Sequence, residues 1–414
     1  MAAVDGELRE LVFARLAERD LARAVAELVA TRSENPPGDE DAVAAALADV
    51  AGRWGLAARV ERVADGRSNV HVTTGGPPVD GPDVLMVGHL DTVPADPAGW
   101  TVDPFAGQVV DGSVWGRGSV DMKGGLGAML AALAALHDVA PERAARAQLY
   151  AVAGEEVDCL GSRTLVATGR LPAARCLVVG EPTGLQVVAA HKGALRLEVV
   201  VHGRAAHGAR PELGANAVTA MAGVVAACAA IELPALPPHP LLGPATVSVN
   251  QISGGTAVNV VPDRCRATLD IRTLPGHDHD QIRRLVERAA ARGLEGVTGV
   301  TSEVTVLNEA APVATDLEDP LVAAALAAAS VADGGRGQPT VGGAAFFSDA
   351  SVLQPALAGV PTILFGPGAT ERMHQVDEHV AVADLHTAAR CYAALLISRT
   401  GGQRGRRGGL AGGC

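Results

Sequence analysis

Aromatic residues are scarce in this chain, at 2% of 414 residues, so a folded core has to be built mainly from Ala, Val and Leu. The hydrophobic content of 48% is nevertheless that of a globular protein and not of a disordered one. Lysine is scarce as well and occurs only at Lys123 and Lys192, and because 46 acidic residues outnumber 34 basic ones, the formal net charge is −12. This balance argues against nucleic acid or an anionic membrane as a partner.

Paired cysteines and long apolar runs are also missing. The six cysteines are scattered without any C-x-x-C pair, which predicts free thiols in a reducing compartment. The apolar run 217–231 is shorter than the ~20 residues that a membrane span needs. Charged side chains follow Met1 where a signal peptide would have an apolar run. We therefore expect a soluble, cytoplasmic protein.

The sequence pattern changes near residue 187, which indicates two domains. Up to that point strands alternate with helices, and the apolar runs 84–87 and 176–179 are typical of buried parallel strands. The next segment has strands with one polar face and intervening helices, a pattern typical of a small α+β sandwich. The first pattern then returns. We predict an α/β domain with a mostly parallel sheet over 1–187 and 310–399, an inserted α+β domain over 188–309, and a disordered tail over 400–414.

The first polar residues of interest are His89, Asp91 and Asp121. His89 and Asp91 follow a predicted buried strand, and an extended backbone points both side chains to the same side. One of them can then bind a metal ion while the other orients it. Asp121 lies at the start of a predicted helix, after the glycine-rich turn Gly116-Arg117-Gly118. Because that turn lacks the patterns of a phosphate or dinucleotide loop, a nucleotide-binding protein is disfavoured.

Three more segments carry Glu155-Glu156, Glu181 and His374. Adjacent carboxylates after a buried strand are costly unless a cation neutralises them. Two histidines and several carboxylates suit Zn²⁺, Co²⁺ or Mn²⁺, and such side chains converge beyond the carboxyl ends of the strands in open α/β sheets. A glutamate that is not a ligand can serve as a general base. Taken singly, a histidine-aspartate pair of this kind is more often a strand-end hydrogen bond than a ligand, and the glutamate pair is compatible with a solvated helix start.

In this order, the five segments together resemble the M20 family of metallopeptidases and deacylases, in particular its branch of acetylornithine deacetylases, succinyl-diaminopimelate desuccinylases and glutamate carboxypeptidases. The resemblance extends from about residue 24 to residue 395. It implies a two-metal catalytic domain with an inserted dimerisation or lid domain. It also implies the following roles: His89 and Glu181 bind one metal ion, Glu156 and His374 bind the other, Asp121 bridges both, Asp91 holds His89 in place, and Glu155 is the general base.

The same resemblance implies roles for residues that lie further along the chain. His207 would stabilise the oxyanion, often in the active site of a partner subunit, so a homodimer is expected. Asn259 and Arg272 would contact the substrate, and Arg272 would clamp its α-carboxylate. Gly343 would lie in a glycine-rich loop that lines the substrate pocket.

The reaction that the resemblance implies is hydrolysis of an amide bond with two divalent metal ions, Zn²⁺ or, alternatively, Co²⁺ or Mn²⁺. Dipeptidases of the family usually have aspartate where this chain has Glu181, so the glutamate favours an N-acyl amino acid as the substrate. A carboxypeptidase or dipeptidase that acts on peptides or acyl-glutamates is the alternative. An inactive metal-binding homologue with a scaffold role is a third hypothesis, which the complete set of ligands and the base disfavour.

Overall fold

The structure is a computed structural model that describes residues 2–76, 81–332 and 338–401. The chain divides into two compact units, each with its own core. Unit 1 comprises residues 1–187, 316–341 and 356–414, and unit 2 comprises residues 188–315 and 342–355.

Helices and strands alternate through the first part of unit 1. In chain order they are α1 (Ala2–Ala17), α2 (Leu21–Ala30), α3 (Asp41–Arg53), β1 (Ala57–Ala64), β2 (Arg67–Thr73), β3 (Val84–His89), β4 (Gln108–Val110), β5 (Ser113–Trp115), α4 (Gly124–Val139), α5 (Pro141–Ala144), β6 (Ala147–Val152), α6 (Leu160–Ala167) and β7 (Cys176–Val179). Strand β3 lies between β6 and β7 and is parallel to both, and all three strands are buried along their whole length. Strands β1 and β2 continue the sheet beside β6 in antiparallel pairing. The sheet is therefore parallel at its centre, as predicted, and antiparallel at this edge.

The next elements follow in chain order, and four of their strands form a second sheet. They are β8 (Val187–His191), β9 (Gly193–His202), β10 (Ala206–His207), α7 (Ala217–Ala229), β11 (Thr246–Gly254), β12 (Val260–Val261), β13 (Arg264–Thr273), α8 (His279–Gly293), β14 (Thr301–Ala310) and β15 (Val313–Ala314). The strand order β11-β13-β9-β14 is antiparallel throughout. Side chains on one face, such as Leu197 of β9, share a core with Met221 of α7 and Ile282 of α8. This is the predicted α+β sandwich with one polar face.

The last part of the chain returns to unit 1, except for residues 342–355, which belong to unit 2. Its elements are α9 (Pro320–Ala332), β16 (Val341–Ala344), α10 (Ala350–Ala356), β17 (Thr362–Leu364), β18 (His379–Ala381) and α11 (Val382–Thr400). Strand β17 extends the parallel part of the sheet beside β7. Strand β18 pairs with β5, which in turn pairs with β4 in a small separate sheet.

The two units differ from the predicted domain boundaries in three places. Residues 310–315 belong to unit 2 because β15 pairs with β8 there. Residues 342–355 also belong to unit 2, where the backbone N–H of Lys192 donates to Ala344 O at 3.0 Å. Thr400, which the predicted tail included, ends helix α11. Gly401 follows that helix, and residues 402–414 of the predicted tail lie outside the described residues.

Helix α4 lies at the centre of unit 1. Together with the turn before it, the stretch Ser119–Val139 is long and apolar enough to cross a membrane, and its most apolar window is entirely buried inside the protein, as in a core helix. A Cβ at Gly125 would lie 2.1 Å from Gly180 O. Only glycine therefore lets the start of α4 approach the end of β7, where Glu181 follows.

Candidate metal centre

Three parallel strands of unit 1 end at one edge of the sheet, and candidate ligands follow each of them. His89 is the last residue of β3, Glu156 lies in the loop after β6, and Glu181 lies two residues after β7. Asp121 lies in the turn that precedes α4, and His374 in the loop before β18. Because parallel strands have their carboxyl ends on one edge, this topology brings the side chains together.

Asp121 lies at the centre of the cluster. Its Oδ1 is 3.0 Å from His89 Nε2, and its Oδ2 is 3.2 Å from His374 Nε2. His374 Nε2 is also 3.1 Å from Glu156 Oε2. Each oxygen of one carboxylate thus faces a different histidine, which is the arrangement expected of a residue that bridges two cations.

The donor atoms of this cluster fit divalent metal ions. Ligand atoms of His89, Asp121 and Glu156 all lie within 4.8 Å of one another. The second oxygen of Glu156, Oε1, is buried and makes no hydrogen bond within the described part of the chain. This is expected of a carboxylate oxygen that binds a cation. Imidazole nitrogens with carboxylate oxygens form a donor set that suits Zn²⁺, Co²⁺ or Mn²⁺.

The orientation of His89 is fixed by Asp91, mainly through its main chain. His89 Nδ1 lies 2.9 Å from the main-chain oxygen of Asp91 and 3.5 Å from its carboxylate Oδ1. A carbonyl oxygen can only accept, so Nδ1 carries a proton and donates it. Nε2, which faces Asp121, is therefore the nitrogen whose lone pair is available to a metal ion.

The Asp91 carboxylate mainly holds the loop that carries the two glutamates. Its Oδ1 accepts from the N–H groups of Gly154 at 3.0 Å and Glu155 at 3.1 Å, and its Oδ2 accepts from Glu156 N–H at 3.2 Å. The side-chain amide of Asn35 donates to the same Oδ2 at 2.8 Å. Asp91 thus orients the residues on both sides of the cluster.

The charges of this cluster raise the pKa of both histidines. Burial alone would lower the pKa of His89, but hydrogen bonds to Asp121 and Asp91 and the charge of Glu181 raise it well above its usual value. Hydrogen bonds to Asp121 and Glu156 raise the pKa of His374 to about 10. The protonated histidines neutralise the carboxylates, and a divalent cation bound by the same atoms would take over that role by displacing their protons.

Glu155 and Glu181 are both buried near this cluster. Glu181 is 2% exposed, and its charge acts on the pKa of His89, which is consistent with a position beside that histidine. Glu155 is 7% exposed and is placed by its backbone bond to Asp91. Both glutamates therefore lie on the same edge of the sheet as the other predicted ligands.

Two of the predicted residues in unit 2, His207 and Asn259, lie on adjacent segments. His207 pairs with Val260 in the ladder between β10 and β12, and Gly208 N–H donates to Asn259 O at 2.7 Å. His207 is exposed, and its Nδ1 accepts from Ala209 N–H at 3.1 Å. Neutral His207 therefore carries its proton on Nε2, a donor of the kind that an oxyanion requires.

The other two predicted residues in unit 2 have contacts within their own unit. Arg272 donates through Nε to Asp270 Oδ1 at 2.7 Å, and Arg196 approaches the same carboxylate at 3.3 Å. A Cβ at Gly343 would lie 2.5 Å from Leu241 O, so glycine is required there for close backbone approach. This packing explains why position 343 is a glycine, and its place in the substrate pocket stays a prediction.

Three residues support the cluster although no sequence motif predicted them. Asn35 contacts Asp91, as described above. Glu378 and Arg117 form a buried ion pair of 2.5 Å, and the Glu378 carboxylate also accepts from Asp121 N–H at 3.1 Å. The sequence signal of Arg117 is its position between two glycines. The sequence signal of Glu378 is its position shortly after His374. Neither feature indicates burial, because charged residues are usually exposed.

Comparison with known proteins assigns the chain to a family. The model of peptidase family M20/M25/M40 matches residues 85–398. A protein of Staphylococcus epidermidis described as a probable succinyl-diaminopimelate desuccinylase is 31% identical over 394 residues, covering 88% of this chain and 94% of the relative. The acetylornithine deacetylase of Myxococcus xanthus is 33% identical over 323 residues, covering 75% of this chain and 78% of the relative.

A solved structure agrees with this assignment at the level of the fold. The crystal structure of an M20 family metallo-carboxypeptidase from Sulfolobus solfataricus matches with a TM-score of 0.76 at 20% identity, covering 92% of this chain and 99% of that chain. This chain belongs to peptidase family M20/M25/M40. It is a hydrolase that acts on amide bonds, in a family that depends on metal ions. The resemblance inferred from the five sequence segments is thereby confirmed.

Proposed function

We propose that this protein is a dinuclear-metal amidohydrolase that cleaves the amide bond of an N-acyl amino acid, like acetylornithine deacetylases and succinyl-diaminopimelate desuccinylases. The observation that carries the proposal is the position of Asp121, whose two carboxylate oxygens lie 3.0 Å from His89 Nε2 and 3.2 Å from His374 Nε2. A carboxylate in this position can serve two cations at once. The names of the two relatives support the choice of acyl amino acids.

Two divalent cations, Zn²⁺ in first place and Co²⁺ or Mn²⁺ as alternatives, would be held by five side chains. His89 and Glu181 would bind one ion, Glu156 and His374 the other, and Asp121 both. Such ions lower the pKa of water and polarise a carbonyl group. The buried carboxylates of the site would be neutralised at the same time, which removes much of the cost of their burial.

Glu155 is the residue to which we assign proton transfer. It is buried next to a ligand, and its backbone N–H is fixed by Asp91 at 3.1 Å. As general base it would accept a proton from the attacking water, and as general acid it would return the proton to the leaving amine. Asp91 would position both Glu155 and His89.

The substrate-facing roles belong to residues of unit 2. Nε2 of His207 would donate to the oxyanion, in the same chain or across a homodimer. Arg272 would bind the substrate α-carboxylate, and Asn259 and Gly343 would line the substrate pocket. The homodimer and the cytoplasmic location remain predictions.

The experiment that tests this function is hydrolysis of N-acetyl, N-succinyl and N-formyl amino acids, with dipeptides and an acyl-glutamate alongside, in the presence of Zn²⁺ or Co²⁺. The control is Glu155→Gln, for which we expect about 10²–10⁴-fold slower turnover with metal binding retained. Turnover of an acylated amino acid that depends on Glu155 supports the proposal. Turnover of the dipeptides alone would instead identify a peptidase, and absence of both turnover and bound metal would favour a scaffold role.

A further inference from the structure

We propose that the buried ion pair of Glu378 and Arg117 positions two metal ligands at once, and that it controls occupancy of the site that contains His374. This inference rests on the proposed function, because it takes Asp121 and His374 as metal ligands. Glu378 and Arg117 are positioning residues in this scheme, since their side chains contact the ligand-bearing segments and not the metal ions.

The side chain of Glu378 holds the turn that carries Asp121. Glu378 Oε1 accepts from Val120 N–H at 2.8 Å and from Asp121 N–H at 3.1 Å. Asp121 has φ −119° and ψ 96°, so it interrupts the helical turn, and its N–H is available to the carboxylate. The two hydrogen bonds therefore fix the backbone from which the bridging carboxylate projects.

The main chain of Glu378 ties the same turn to the loop of His374. Gly116 N–H donates to Glu378 O at 2.9 Å, and His374 lies only four residues before Glu378. The neighbouring residue Asp377 accepts from Thr101 N–H and from its hydroxyl, each at 2.7 Å. Both ligand segments thus meet at Glu378, and a shift of this residue displaces Asp121 and His374 together.

Arg117 makes this arrangement possible by neutralising Glu378. The Glu378 side chain is fully buried and that of Arg117 is 5% exposed, with Nη1 and Oε2 2.5 Å apart. Removing one charge of a buried pair leaves the other uncompensated. If Glu378 contributed only to stability, its ion pair with Arg117 would be sufficient. The Glu378 carboxylate also accepts a hydrogen bond from the N–H group of Asp121, a predicted metal ligand.

The test compares Glu378→Gln with Asp83→Asn. Asp83 forms a largely buried ion pair with Arg146 and lies immediately before β3, at the strand end opposite His89. Both changes convert a carboxylate into a carboxamide in unit 1. Each full-length variant is freed of metal, titrated with Zn²⁺ against a chromophoric chelator, and melted with and without Zn²⁺.

We assign the second, weaker equivalent of Zn²⁺ to the site of His374, because the His374 side chain is 45% exposed whereas that of His89 is 1% exposed. We expect this equivalent to bind about 10–100-fold more weakly to Glu378→Gln, because supporting partners of metal ligands contribute that much. Asp83→Asn should lower the melting temperature without changing either Zn²⁺ affinity. If Glu378→Gln does not fold, Glu378→Asp replaces it, since it keeps the charge and withdraws the carboxylate from Val120 and Asp121.

Unchanged affinity for both equivalents in a folded Glu378 variant would overturn the inference and leave a structural role. Failure of the unmodified chain to bind Zn²⁺ would instead overturn the metal site of the proposed function. A loss of the second equivalent in the Glu378 variants and not in Asp83→Asn would support the positioning role. The two kinds of failure are therefore distinguishable in one titration series.

Discussion

The sheet edge of unit 1 and the sheet of unit 2 both carry candidate site residues, but they hold them differently. In unit 1, His89, Asp91 and Asp121 are at most 4% exposed and are held by one another and by buried partners. In unit 2, His207 is exposed, and Arg272 is paired with Asp270 on its own strand. His374, whose side chain is 45% exposed, is the exception in the unit 1 cluster and is held by Asp121 and Glu156. Burial with mutual hydrogen bonds fixes the other three, whereas exposed groups can differ with the substrate.

The largest predicted effect on catalysis in unit 2 is at His207, and it tests whether an exposed residue takes part in the reaction. If it stabilises the oxyanion, His207→Ala should lower kcat about 10²–10³-fold, which is the value of one oxyanion donor. Zn²⁺ binding should be unchanged, because the predicted ligands lie in unit 1. The matched control is His202→Ala, a half-buried histidine of unit 2 whose side chain pairs with Glu303. Equal kcat values for both variants would confine catalysis to unit 1.

The parallel strands and the residues at their ends were predictable because they obey local rules. Residues 84–88 are apolar, as expected of a buried parallel strand, and His89 and Asp91 at its end form one of the five segments. The order of the five segments then identified the family. The sandwich of unit 2 was predictable for the same reason, since β13 alternates buried and exposed residues.

Long-range contacts of single residues were not predictable from the sequence. Residues 342–355 join unit 2 through bonds to β8 and its neighbour Lys192, which no periodicity reveals. The Glu378 carboxylate accepts from Val120 N–H, although the two residues are more than 250 positions apart in the chain. The sequence around an acidic residue does not reveal such a contact. The carboxylate of Asp91 holds the loop of Glu155 as well as orienting His89, because the fold brings that loop to it.

A smaller effect, on KM, is expected at Arg272. It tests whether this residue of unit 2 binds the substrate. Hydrogen bonds to charged groups contribute about 1.5–3 kcal/mol, so Arg272→Met should raise KM about 10–100-fold for a substrate with a free α-carboxylate. Zn²⁺ affinity should not change. Arg266→Met is the control, because Arg266 is exposed on the same face of β13. An equal rise in KM for a substrate whose carboxylate is amidated would show that Arg272 does not bind this group.

The smallest effect on catalysis is expected at His191. This residue instead provides a direct test of how unit 2 is held together. This buried histidine contacts Ser348 Oγ at 3.3 Å and thereby links residues 342–355 to β8, and burial lowers its pKa to about 4. In the unfolded chain the pKa returns to about 6.5, so the unfolded state binds more protons between these values.

Stability should therefore fall as the pH drops from about 6.5 towards 4, by about 2 kcal/mol between pH 7.5 and pH 5. The measurement is urea unfolding of the unmodified chain and of His191→Gln at both pH values. The variant has no titrating group at this position, so the His191 contribution is the difference between the two pH dependences. Identical pH dependences would contradict the assignment, because the folded and unfolded states would then bind protons at His191 equally. A difference of the expected sign would show that unit 2 also relies on a buried polar side chain, at the contact between β8 and residues 342–355.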